Sequence, residues 1–147
     1  MHIREFLSPG DVAIDVRTSD KVRLLRELSQ RAAARLKLDP DRVARAILDR
    51  EQLGSTGMGG GIAIPHARIE DVKAAFGVLV RLRRPIDFES VDGKPVDLVF
   101  LLLLPAKAEG EQLNVLAMVA RRLRDAAVLE ELRRAGDQAS FYRAFAP

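Results

Sequence analysis

The sequence predicts an α/β fold, a mixed β-sheet with helices on both faces. Three observations predict it. Residues 96–104 are nearly all apolar and lie between Pro95 and Pro105; such a run reads as a strand buried on both sides, hence central in a sheet covered by helices. Residues 76–82 alternate, which puts Phe76, Val78, Val80 and Leu82 on one face. Segments with helical periodicity alternate with strands in the first part of the chain and cluster at its end. A length of 147 residues suits one domain, 1–147 with a core over about 6–145, and no internal repeat or linker divides it.

The elements follow in order. Residues 6–16 contain a short strand, with Val12, Ile14 and Val16 on one face and the turn residues Ser8, Pro9 and Gly10 ahead of it. Thr18 or Ser19 caps a helix that runs to about Lys37, with Leu25, Leu28, Ala32 and Leu36 inward. Asp39 caps a second helix and Pro40 fits its first turn, where a missing N–H costs little. That helix carries Val43, Ala44, Ile47 and Leu48 inward and ends near Leu53, with Gly54 past its end. A glycine-rich loop leads to a short strand at Ile62, Ala63 and Ile64, with His66 just beyond it. After the strand at 76–82, residues 85–91 read as irregular, and Asp92-Gly93 is a turn signal. Three helices close the chain. Leu113, Leu116, Ala117, Ala120 and Leu123 form the apolar stripe of the first. Asp125 caps the second, with Val128, Leu129 and Leu132 inward, and Asp137 caps the third, with Phe141, Tyr142 and Phe145.

Composition excludes several classes. There is no cysteine, so disulfides, thiol catalysis and thiolate metal sites are absent, which fits a cytoplasmic protein. No apolar run approaches the ~20 residues that span a bilayer, and the N-terminal residues lack the apolar core of a signal peptide, so membrane insertion is not expected. Basic residues exceed acidic ones by only 24 to 21 and are spread over helical faces rather than gathered in a tail. Aromatics make up 5% and no nucleic-acid motif is present, so nucleic acid is not an expected partner. A mildly positive surface suits an acidic protein partner instead.

The chemistry concentrates in residues 50–68. Five of the ten glycines fall between Gly54 and Gly61, followed by Pro65 and His66, with Arg50 and Arg68 at the ends. The only other histidine is His2. Neutral imidazole offers a lone pair near pH 7 and can act as a nucleophile. A phosphoryl group in transit needs positioning and charge stabilisation more than covalent help. Glycines let backbone N–H groups approach an anion, Ser55 and Thr56 add hydroxyls, and Arg50 adds a planar cationic fork. The competing reading is structural: a hydrogen-bonded histidine after a strand, and Arg50 as a cation stabilising a helix C-terminus. The loop matches neither G-x-x-x-x-G-K-[ST] nor G-x-G-x-x-G, and no G-x-S-x-G elbow occurs.

The run Arg50-Glu51-x-x-Gly54-Ser55-Thr56-Gly57-x-Gly59-x-Gly61-Ile62-Ala63-Ile64-Pro65-His66 resembles the active-site signature of the IIA components of the bacterial phosphotransferase system, fructose–mannitol type (type 2). Within that type it is most similar to the nitrogen-regulatory branch. Pro85-Ile86-x-Phe88, Asp92-Gly93-x-Pro95-Val96-Asp97-Leu98 and the helix from Leu113 to Leu123 extend the resemblance along nearly the whole chain. It implies that His66 takes a phosphoryl group at Nε2 from a phosphohistidine carrier of the HPr or NPr type. It implies that Arg50, Ser55, Thr56 and the loop amides, Gly57 included, hold the phosphoryl oxygens. No metal, nucleotide or other cofactor is implied, because the donor is already a phosphoprotein. Transporters, sensor kinases or IIB proteins are the implied downstream partners, and the family's frequent fusion to membrane or IIB domains is not seen in this sequence.

One departure stands out. Many relatives carry a second histidine near the start of the helix after the buried strand, and the matching position here is Gln112. Glutamine can donate a hydrogen bond to a phosphate oxygen or to His66 but cannot carry charge or relay a proton. That weakens the expectation of onward transfer to a sugar-specific IIB protein and leaves phosphorylation of His66 in place. A phosphorylation-dependent regulator is therefore the leading expectation. A sugar-specific IIA component and an unphosphorylated binding module are the alternatives. Arg68 reads as solvated, Glu51 as a helix-surface charge, and Met58 as a packing or partner-contact residue.

Overall fold

A computed structural model describes residues 1–147, apart from the side chains of Glu111 and Leu113. Six strands form one sheet: β1 (Val12–Val16), β2 (Gly57–Gly59), β3 (Ile62–Ala63), β4 (His66–Ile69), β5 (Phe76–Ile86) and β6 (Val96–Pro105). Their order is β1-β5-β6-β3-β2, and β4 also pairs with β6. β5 and β6 are antiparallel; β1 runs parallel to β5, and β3 and β4 run parallel to β6. Five helices complete the fold: α1 (Lys21–Leu36), α2 (Pro40–Leu53), α3 (Val115–Arg122), α4 (Ala126–Arg134) and α5 (Gln138–Phe145).

The expected three-layer α/β arrangement is what the structure has. β6 is the central strand, and of its residues only Asp97 and Pro105 are not fully buried. Leu98, Phe100, Leu102 and Leu104 pack into one core with Val115, Val119, Leu132, Phe141 and Phe145 from the last three helices. Val99, Leu101 and Leu103 pack into a second core with Leu24, Leu25, Leu28, Val43 and Ile47 from α1 and α2. The alternation of a buried strand thus feeds two cores at once.

Local chemistry sets the ends of the helices, with some departures from expectation. Asp20 caps α1, its side chain accepting from the Arg23 N–H, rather than Thr18 or Ser19. Lys37 ends α1 in the left-handed conformation. Asp39 and Pro40 start α2 as expected, and Gly54 leaves it in extended backbone rather than a left-handed turn. Asp125 and Asp137 cap α4 and α5. The period-two face of β1 is broken: Asp15 takes φ +53° and the register to β5 shifts between Ala13 and Val16. This bulge turns Val16 toward the α1–α2 core while Val12 and Ile14 face the other. β5 continues through Pro85 to Ile86, beyond its expected end.

The stripe expected to bury α3 is displaced by one residue. Val115, Val119 and Leu123 are buried, whereas Leu116 and Ala120 are half-buried and Ala117 is exposed. A 3-10 turn at Gly110–Asn114 precedes the α-helix and changes its phase. The Leu113 side chain lies outside the described residues. No helix is long and apolar enough to cross a membrane.

Candidate functional site

His66 opens β4 rather than trailing the preceding strand, and the alternation of β4 aims it. Ala67 and Ile69 are buried in the core with α2. His66 and Arg68 therefore face the opposite side of the sheet, where α3 lies. His66 lines a cleft of about 450 Å³. With it in the lining are Arg50 from the end of α2, Thr56 and Met58 from the loop, Ile64, Leu116, Ala117 and Ala120 of α3, and Arg124 just beyond it. The residues left off the core stripe of α3 are thus the ones that shape the site. Arg68 is exposed and does not line the cleft.

Nδ1 of the imidazole hydrogen-bonds to the Ile64 carbonyl oxygen at 2.8 Å. A carbonyl only accepts, so Nδ1 carries the proton and the lone pair of the neutral ring sits on Nε2. Among the described residues, Arg50 and Arg124 are the charged residues in the lining and no carboxylate lines the cleft. The Arg50 guanidinium donates from Nη1 to the Gly54 carbonyl oxygen at 3.0 Å. That bond serves the helix C-terminus and also fixes the fork at the mouth of the cleft. The structure therefore places Arg50 both at the helix C-terminus and in the lining of the cleft.

The other residues named from sequence lie nearby in different roles. Thr56 lines the cleft, and its hydroxyl and N–H both bond to Glu51. Ser55 donates to the Phe88 carbonyl at 2.7 Å and accepts from the Gly57 N–H at 3.0 Å. Gln112 accepts from the Ala75 N–H at 2.8 Å through Oε1. Ser55, Gly57 and Gln112 are not among the lining residues. Their polar groups hold the loop and the start of β5, so His66, Arg50 and Thr56 are the residues the fold brings together around the cleft.

Sequence reasoning missed Arg124 and misplaced Glu51. Arg124 follows Ala117 and Ala120 by seven and four residues, so it shares their helical face, and that spacing was the available signal. Glu51 is not a surface charge: it is 7% exposed and pairs with Lys21 Nζ at 2.8 Å. The helix pattern of α2 carried no sign of this, because Lys21 comes from the start of α1 and Thr56 from the loop.

The loop itself is a hairpin of β2 and β3 turning through Gly59, Gly60 and Gly61, which have φ of +94°, +68° and +81°. Glycine adopts these values without steric cost. Gly57 is required for a different reason: a Cβ there would lie 2.3 Å from Ser90 Oγ and 3.0 Å from its Cα. We expect Gly57→Ala to destabilise the protein by about 1–3 kcal/mol through this overpacking, checked by urea denaturation; an unchanged midpoint would contradict the contact. The Asp92 carboxylate accepts from the N–H groups of Lys94 and Gly60 at 3.0 Å each. These bonds hold its pKa below the ordinary value of 3.8, the Lys94 N–H contributing most. A lowered folded-state pKa means that the anchor is fully present above pH 3.8 and is lost as pH falls through the lower folded value. Hydrogen exchange at the Gly60 amide should therefore stay slow relative to its intrinsic rate down to pH 3.8 and lose protection below it; loss at higher pH would contradict this.

Residues 5–146 fit the model of the phosphoenolpyruvate-dependent sugar phosphotransferase system, EIIA 2, and the chain belongs to that family. It is therefore a phosphotransfer component. It is 40% identical over 146 residues to a nitrogen regulatory protein of Bradyrhizobium diazoefficiens, covering 99% of this chain and 95% of that one. It is 45% identical over 129 residues to the nitrogen regulatory protein of Escherichia coli K12, covering 87% and 79%. The structure superposes on nitrogen regulatory protein IIA-Ntr from Neisseria meningitidis with a TM-score of 0.92 at 35% identity, covering 98% of this chain and 99% of that one.

Proposed function

We propose that this protein accepts a phosphoryl group on His66 Nε2 from a phosphohistidine carrier of the HPr or NPr type and acts as a nitrogen-regulatory IIA protein. The observation that carries this reading is the bond from His66 Nδ1 to the Ile64 carbonyl, which leaves Nε2 as the free nucleophile in the cleft. In-line attack by the Nε2 lone pair forms the new N–P bond as the carrier's N–P bond breaks, and the carrier nitrogen keeps that bonding pair. Nδ1–H remains on the Ile64 carbonyl throughout, so the positive charge that develops on the ring is stabilised by an oxygen dipole.

Arg50 and Arg124 stabilise the charge on the equatorial oxygens. Thr56 positions Arg50's side of the cleft, with Ser55, Gly57 and Gln112 fixing the surrounding loop and strand. No cofactor takes part in this scheme, and the protein works in the cytoplasm. The regulatory assignment is supported by the names of the relatives and by a glutamine at position 112. Its output is binding of a transporter or sensor kinase. Phosphorylation changes that binding by adding up to about two negative charges beside Met58, Leu116 and Ala120.

The test is incubation with phosphoenolpyruvate, the first enzyme of the system and an HPr-type carrier, followed by intact mass. Wild type should gain one acid-labile phosphoryl group. No gain, with a carrier shown to be active, would overturn the proposal. Fast stoichiometric passage from the phosphorylated protein to a IIB protein would replace the regulatory role with a sugar-transport one.

A further inference from the structure

At the far end of β1 and β5 from His66 lies a second cleft, of about 330 Å³, lined by Arg17, Thr18, Arg83 and Arg84. The sheet register builds it. β1 and β5 run parallel with Val16 opposite Leu82, so Arg17, just past the end of β1, lies beside Arg83 within β5. Gly77 of β5 and His66 both pair with Leu102. Arg83 lies six residues along β5 from that level, or ~20 Å at strand spacing. The cleft is therefore separate from the phosphoryl site.

Its charge is unbalanced. Arg17, Arg83 and Arg84 have no hydrogen-bond or ion-pair partner among the described residues, and no carboxylate lines the cleft. The carboxylates next to it in sequence are engaged elsewhere: Asp20 caps α1 and Asp87 accepts from the Glu89 N–H at 2.9 Å. Asp15 is exposed on the bulge and does not line the cleft. Other arginines are also unpaired, but these three surround one cavity. Like charges placed side by side across strands are unfavourable unless an anion joins them. In contrast, Arg35, Arg81, Arg122 and Arg133 are all tied to carboxylates or carbonyls of the fold.

We infer that this cleft binds a small diphosphate-bearing molecule. Three guanidiniums match the roughly three negative charges of two linked phosphates near neutral pH, and arginine forks suit phosphate oxygens geometrically. The volume is near the lower end of the small-ligand range, about 300–1,000 Å³, so it suits a compact ligand rather than a helix of a partner protein.

The experiment is titration of the isotopically labelled full chain with inorganic pyrophosphate, followed by amide NMR at 0.15 M salt, with ADP and adenosine in parallel. Saturable shifts confined to residues 16–18 and 82–84, weakened about tenfold or more in Arg17→Gln/Arg83→Gln, are expected. The control Arg23→Gln/Arg26→Gln should bind as wild type does. Single Arg84→Gln serves if the double variant melts abnormally. Tighter binding of ADP than of pyrophosphate, with none by adenosine, would identify a nucleotide as the source of the diphosphate; binding of pyrophosphate alone would identify the free anion. Non-saturable shifts, shifts over the whole basic surface, or binding unchanged in the variants would overturn the inference. So would an acidic peptide that saturates these residues while pyrophosphate does not.

Discussion

Glu51→Ala is expected to lower the stability of the protein by about 3–5 kcal/mol, the cost of breaking a buried charge pair from one side. Glu51 sits at the junction of α2, the glycine loop and the start of α1. Its carboxylate accepts from the Thr56 N–H at 3.2 Å and from the Thr56 hydroxyl, and pairs with Lys21 Nζ at 2.8 Å. Lys21 in turn donates to the Phe88 carbonyl and lies 4.6 Å from the centre of the Phe88 ring. Removing the carboxylate leaves a half-buried ammonium, a buried N–H and a buried hydroxyl without their acceptor. Stabilities of domains this size are about 5–15 kcal/mol, so the loss is a large fraction of the whole. Chemical denaturation measures it. Glu51→Gln should fall in between, since its carbonyl can still accept from Thr56 while its charge for Lys21 is gone. Because Thr56 lines the cleft, the variant should also take up phosphate more slowly at temperatures where it remains folded. A stability change below about 1 kcal/mol would show that Glu51 behaves as the solvated charge its place in the helix suggests.

His66→Ala should abolish phosphoryl uptake and leave the fold intact. The side chain is half-buried and, among the described residues, makes one hydrogen bond, so its removal should cost about 1 kcal/mol or less. His66→Asn separates chemistry from structure more sharply. An asparagine N–H can stand where Nδ1–H stands and keep the bond to the Ile64 carbonyl, but it offers no nucleophile. That variant should melt close to wild type and gain no phosphate on intact mass. Undiminished uptake in either variant would remove His66 from the mechanism.

Much of the fold was legible because the determining signals are local. The apolar run of β6, the alternation of β5 and the capping residues Asp39, Asp125 and Asp137 each specify their element without reference to the rest of the chain. What the sequence concealed depends on tertiary contacts or on phase. A single bulge at Asp15 reassigns Val16 to the other core. The 3-10 turn before α3 shifts its stripe, so Val115 and Val119 go into the core while Leu116 and Ala120 line the cleft. Both faces of α3 are apolar, and periodicity alone does not choose between them.

The candidate site shows the same division. His66, Arg50 and Thr56 are close in sequence and legible there; Arg124 comes from a distant part of the chain, just past the end of α3. Ser55 and Gly57 were read as groups for an anion because hydroxyls and glycine amides commonly serve that purpose. In the folded loop they bond to each other and to Phe88. Sequence identifies which donors are present, whereas the fold decides which of them are already taken.

The measurement that tests the central claim most directly is a long-range 1H–15N spectrum of the His66 ring before and after phosphorylation by the carrier. The account predicts a neutral ring protonated at Nδ1 and bare at Nε2 before, and phosphorus coupled to Nε2 with Nδ1 still protonated after. Phosphorus on Nδ1, or a phosphorylated protein whose His66 signals do not change, would contradict it.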